Sequence, residues 1–139
     1  MTWIGWALLS AVFAAGTALL AKVGVEHVDS NLATAIRTTV ILIFTWAIAI
    51  GLEKHAGISA IGRRSWIFLI LSGSCTGLSW LCYFRALQLG PASGVAPLDK
   101  LSVVLVILGA WLFLGEHLTP LKIGGASLIT IGAVILAFA

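Results

Sequence analysis

The chain has 139 residues, of which 60% are hydrophobic and only 9% charged. Soluble domains average about 25% charged residues, so a water-surrounded globule is excluded, and five apolar spans of about 20 residues each use up the length. The net charge of +3 rests on eight scattered Lys and Arg, which excludes the clustered basic face of a nucleic-acid binder.

The first span is expected from about Thr2 to Ala21. No Lys or Arg precedes Lys22, so the positive n-region of a cleavable signal peptide is missing and the stretch reads as a retained span. A polar link with Lys22, Glu26, His27 and Asp29 follows, and Asp29-Ser30-Asn31 offers N-cap oxygens to the next helix. The second span runs from about Leu32 to Leu52, with Arg37 in its first turns. The longest loop, Glu53 to Ser65, carries Lys54, His55, Arg63 and Arg64. The third span runs from about Trp66 to Leu87, with Arg85 near its end, and Gly90-Pro91 marks a tight turn. The fourth is expected as one helix from about Val95 to Leu114, with Pro97 in its first turn and Asp99 and Lys100 just beyond; Glu116 and His117 follow it. Thr119-Pro120 supplies an N-cap and a proline at the first helical position, and the fifth span closes the chain from about Leu121 to Ala139. Barrel strands are excluded, because they would alternate in polarity over about 10 residues. The fold class is therefore an all-α integral membrane protein, with residues 1–139 forming a single five-helix transmembrane domain.

An odd number of spans puts the two ends on opposite faces of the bilayer. A second unit would have to sit upside down to share a cavity, and inverted repeats meeting near the midplane are a common transporter architecture. The expected assembly is thus a ten-helix inverted-repeat bundle made by a dimer. Lys and Arg divide evenly between the faces: Lys22, Arg37, Arg85 and Lys100 on one, Lys54, Arg63, Arg64 and Lys122 on the other. Orientation follows the bias of such charges, so a near tie suits a chain that inserts both ways and forms an antiparallel homodimer. The other reading is a fixed orientation with a paralogous half-size chain as partner.

Charge inside a bilayer is costly, so an ionisable residue there is a functional candidate. Arg37, Arg85, Asp99 and Lys100 qualify, as substrate contacts or gates; interfacial anchors and interhelical salt bridges are the alternative. Neighbouring helical residues point about 100° apart. One of Asp99 and Lys100 is then expected to face the cavity or pair with Arg85, and the other to snorkel to the interface. Pro97 removes a backbone donor and loosens its helix, and Glu116 sits at the far end of that span as a gate or a cap. Gly73-x-x-x-Gly77 permits close approach of another helix. Trp80 and Phe84, four residues apart on one face, with Tyr83 beside them, can form an apolar substrate wall. Trp3 and Trp66 suit the interface belt. Cys75 and Cys82 lie about 10 Å apart along a helix, too far for an intrahelical disulfide. They are packing residues or, less simply, thiols for a bridge between protomers. No catalytic, metal or phosphate-loop motif is present, so no enzyme, cofactor or metal is expected, and an ion or substrate gradient would have to drive any transport.

Trp80-Leu81-Cys82-Tyr83-Phe84-Arg85-Ala86-Leu87-Gln88-Leu89-Gly90-Pro91-Ala92-Ser93 resembles the "y-x-AL-x-x-G-pas" segment of EamA-type proteins of the drug/metabolite transporter superfamily. Val95-Ala96-Pro97-Leu98-Asp99-Lys100-Leu101 resembles the start of their fourth helix, and Leu114-Gly115-Glu116-His117-Leu118-Thr119 their "lgE-x-lt" turn. Gly124-Gly125-Ala126 and Ile131-Gly132-Ala133 resemble their closing helix, and Arg37 matches an arginine early in their second. The resemblance covers the whole chain. Most relatives carry two such units in one polypeptide, which for a half-size chain implies a dimer. Small multidrug resistance relatives couple to protons through a glutamate in the first span; the first span here has no acidic residue. The resemblance implies a multi-pass protein of the inner membrane that moves a small organic metabolite or drug by alternating access. Spans 1 to 4 would line the cavity, with Trp80, Tyr83, Phe84, Arg37, Asp99 and Lys100 touching substrate. Arg85, Pro97, Glu116, Gly73 and Gly77 would serve gating or helix pairing. The alternative is a non-transporting membrane subunit that stabilises an oppositely oriented partner.

Overall fold

The computed structural model describes residues 2–139. Among them are six α-helices and one 3-10 helix, and no strand. Helix α1 is Trp3–Gly24 and α2 is Ser30–Gly51. A 3-10 helix, Lys54–Ala60, lies in the loop before α3, Arg63–Leu89. Then come α4 (Ala92–Asp99), α5 (Ser102–Leu114) and α6 (Pro120–Phe138).

The caps follow from local chemistry. The Asp29 carboxylate accepts the N–H groups of Asn31 at 2.9 Å and Leu32 at 3.1 Å, satisfying two donors that the first turn of α2 cannot. Thr119 does the same for Lys122 N–H at 3.2 Å, with Pro120 opening α6. At the end of α5 the Glu116 N–H returns to the Ala110 carbonyl at 3.1 Å, which the left-handed Gly115 (φ +70°) permits.

Three expectations are corrected. Arg63 and Arg64 belong to the first turn of α3, not to a loop. At 27 residues this helix is about 40 Å long, more than the hydrocarbon thickness of about 30 Å, so its basic start can reach the interface. The loop it was assigned to holds the 3-10 helix, which folds onto α2. The fourth span is not one helix. It begins at Ala92 and is interrupted at Lys100 and Leu101, where Lys100 N–H bonds Pro97 O and Leu101 N–H bonds Leu98 O, both at 3.0 Å and both three residues back. Pro97 is the sixth residue of α4 and has no N–H for the Ser93 carbonyl, so the second turn is already one bond short when the ladder tightens.

The chain divides into two compact units. Val23–Gln88 holds α2, the 3-10 helix and nearly all of α3. Its link after α1 is tied to α3 by Gln88, whose side-chain amide donates to Val25 O at 3.1 Å and Val28 O at 2.6 Å. The other unit holds α1 up to Lys22 together with Leu89–Ala139. There α4 lies against α6, with Gly94 and Ala133 buried. A Cβ added at Gly94 would sit 3.6 Å from the Ala137 backbone, an ordinary contact distance, so the helices run close there yet leave room for a methyl group. Lys22 Nζ donates to Gly90 O at 2.9 Å and fastens the end of α1 to the turn before α4.

Five segments are long and apolar enough to cross a membrane: Trp3–Gly24, Ser30–Gly51, Arg63–Leu89, Ala92–Leu114 and Pro120–Phe138. No more than 11% of the most apolar stretch of any of them is buried within the chain. Surfaces of that kind require lipid or another apolar surface around them.

Candidate functional site

Within Val23–Gln88, Arg37 is the ionisable residue set deepest in α2. It lies seven residues beyond Ser30, hence about 10 Å along the helix axis from its start. Its guanidinium carbon stands 4.3 Å from the Phe84 ring centroid and 5.9 Å from that of Trp80. The two rings are one helical turn apart on α3, so both can meet the same side chain. Phe84 is 1% exposed, and Trp80 and Tyr83 are half-buried. Tyr83 meets Phe84 edge to face, with centroids 5.8 Å apart and planes at 73°, the arrangement favoured by ring quadrupoles. Tyr83 also lies within electrostatic reach of Arg37.

The charge of Arg37 is only partly compensated. Its Nη1 is sealed from solvent and has no hydrogen-bond partner among the described residues. The nearby hydroxyls of α2 are turned to their own helix: Thr34 donates to Ser30 O at 2.7 Å and Thr38 to Thr34 O at 2.8 Å. Arg37 as a whole is half-buried, and a ring face returns about 0.5–2 kcal/mol to a cation, depending on its exposure, without supplying an acceptor for an N–H.

The structure thus brings together four of the six expected substrate contacts, Arg37, Trp80, Tyr83 and Phe84. The other two, Asp99 and Lys100, belong to the other unit and flank the break between α4 and α5. Lys100 Nζ lies 3.3 Å from Asp99 Oδ2, so the lysine stem folds back on its neighbour. Within Val23–Gln88, Arg85 donates to Gln88 Oε1 at 3.1 Å. Glu116 pairs with Lys122 at 3.1 Å across the α5–α6 link. Both of these ion pairs are substantially exposed to solvent in the isolated chain, where such pairs contribute about 0–1 kcal/mol. Nothing lies within 4 Å of a Cβ placed at Gly73 or Gly77, so no helix of the described chain uses that close-approach face. Cys75 and Cys82 are free and exposed. The sequence reading missed Gln88 and Lys22 as fasteners; an uncharged amide at a span end and a link lysine carry no signal that separates them from interfacial residues.

Residues 1–138 match the EamA-like transporter family. The chain belongs to that family. A Sinorhizobium sp protein described as an uncharacterized transporter in the cobO 3' region is 53% identical over 136 residues, covering 98% of this chain and 96% of that protein. No solved structure matches the chain. This EamA-like chain is a multi-pass membrane protein with a transporter role and not an enzyme.

Proposed function

We propose that this EamA-like chain is a subunit of a secondary transporter in the inner membrane, moving a small organic metabolite or drug by alternating access as a dimer. The observation that carries this reading is the placement of Arg37 over Trp80 and Phe84 inside a span. A cation held there without an acceptor for Nη1 is expensive, and a solute-binding wall gives it a use. Trp80, Tyr83 and Phe84 supply apolar and edge contacts to the solute body, and Arg37 fixes its polar end.

Two further features support the reading. The interrupted fourth span resembles in kind the discontinuous helices at which transporters place their sites and pivots. Asp99 and Lys100, at that interruption, act as a gate or as a second solute contact. The odd number of spans and the unused Gly73/Gly77 face support a dimer with an oppositely oriented unit, either a second copy or a paralogous half-size chain. In this reading residues 1–139 act as one transmembrane domain, and Arg85, Pro97 and Glu116 shape gating or helix pairing.

The test is solute counterflow in proteoliposomes containing only this chain. Saturable exchange, with Trp80→Ala raising the half-saturating concentration about tenfold, is the expected result, since losing a ring contact and its buried area costs roughly 1–2 kcal/mol. No exchange by this chain alone, restored by co-reconstitution with a paralogous chain, would assign the site to the partner and leave this chain a stabilising subunit.

A further inference from the structure

We infer that the solute taken at the Arg37 cluster carries an oxyanion, a carboxylate or phosphate, joined to an apolar or aromatic body. This deepens the proposed function and rests on reading the cluster as a solute wall.

An arginine stays protonated in proteins, so Arg37 presents a full positive charge within α2. Aromatic rings and hydroxyls stand around it. Phe84 and Trp80 offer ring faces at 4.3 and 5.9 Å. Tyr83 packs edge to face against the same Phe84 ring. Thr34 and Thr38 donate to backbone carbonyls of their own helix. Four of the other cations have acceptors: Arg85 has Gln88, Lys100 has Asp99, Lys122 has Glu116 and Lys22 has a carbonyl. In Arg37 the Nη1 atom is buried with none.

A guanidinium is planar and carries its N–H groups in that plane, where they can meet a carboxylate or phosphate two oxygens at a time. The same rings then offer area for the body attached to that oxyanion. A cationic solute would meet like charge in the same spot and be disfavoured. Charge, ring placement and the unsatisfied Nη1 therefore select an amphipathic anion over a neutral or cationic solute.

The test uses two acids with neutral counterparts: radiolabelled phenylacetate against phenylacetamide, and phenyl phosphate against phenol. Each is bound to the full chain in phosphatidylcholine nanodiscs. At least one acid is expected to bind saturably and about 10- to 100-fold more tightly than its counterpart, the range set by hydrogen bonds to a charged group. Arg37→Gln should reduce the acid to the level of the neutral compound, and Arg37→Lys should retain part of the preference. Equal binding of acids and counterparts by the unmodified chain would overturn the inference even where the variants fail to fold. So would a preference that survives Arg37→Gln in folded protein. Phosphatidylglycerol in the nanodisc should leave binding unchanged; Arg37-dependent displacement by it would make the oxyanion a lipid headgroup's and overturn the solute assignment. The two readings fail separately. Arg37-dependent binding without counterflow sinks transport and keeps the anion site. Counterflow of neutral or cationic solutes, untouched by Arg37→Gln, keeps transport and sinks the anion site.

Discussion

Gln88 uses three of the four hydrogen bonds its amide can make within Val23–Gln88. Both amide hydrogens go to carbonyls of the link after α1, and its oxygen takes Arg85. Val25 beside it is fully buried, so its carbonyl has no access to water once the amide is gone. Gln88→Leu is therefore expected to destabilise the protein by about 1–3 kcal/mol, the cost of stranding buried acceptors, read by denaturant unfolding in micelles. Gln88→Glu keeps the Arg85 contact but brings no donor to either carbonyl, and should be destabilised to a similar degree. A Glu variant as stable as the original chain would show that the carbonyl bonds contribute little. Arg37 was legible in the sequence because a charge amid apolar residues stands out. Gln88 was not, because an amide near a span end is ordinary there, and its partners lie 60 and 63 residues away.

The fourth span is where an element departs from its sequence pattern. Apolarity from about Val95 to Leu114 reads as one helix, yet the backbone changes from α to 3-10 bonding at Lys100 and Leu101. A turn of 3-10 inside a span is a common place for a hinge, and it holds the Asp99–Lys100 pair. Pro97→Ala returns an N–H that can bond the Ser93 carbonyl. It should stiffen α4, slow amide exchange at Leu101 and Ser102, and lower transport turnover several-fold while solute affinity stays within about twofold, the pattern of a conformational step rather than a binding one. Unchanged exchange would place the cause of the break elsewhere. The other ends followed the sequence closely. Asp29 and Thr119 cap α2 and α6 as their side-chain chemistry requires, because a cap is settled within about three residues.

For the molecule as a whole, the apolar stretches are bare along nearly their full length, and lipid covers what no partner does. Whether a partner is a second copy turns on insertion. Lys and Arg balance four against four between the two expected faces, while the links alone favour the starting face three or four against one, so the charge bias on orientation is weak. A single cysteine at the C-terminus of a Cys75- and Cys82-free variant should label about half from each side of the membrane, as an unbiased chain would. Labelling from one side alone would mean a fixed orientation, with an oppositely oriented partner chain or a parallel assembly in place of the antiparallel homodimer.

The sequence by itself determined that this protein is five apolar spans, where most of them begin and end, and the family to which they belong. Those features are local: helix bonds close within four residues, caps act on adjacent N–H groups, and continuous apolarity needs no knowledge of neighbours. Only the tertiary structure decided that Arg37 lies over Phe84 and that Gln88 and Lys22 fasten distant turns. Spans that are apolar on nearly every face carry no stripe to say which side meets which helix. The partners of their few polar groups are therefore set by how the helices are placed in space, not by their order along the chain.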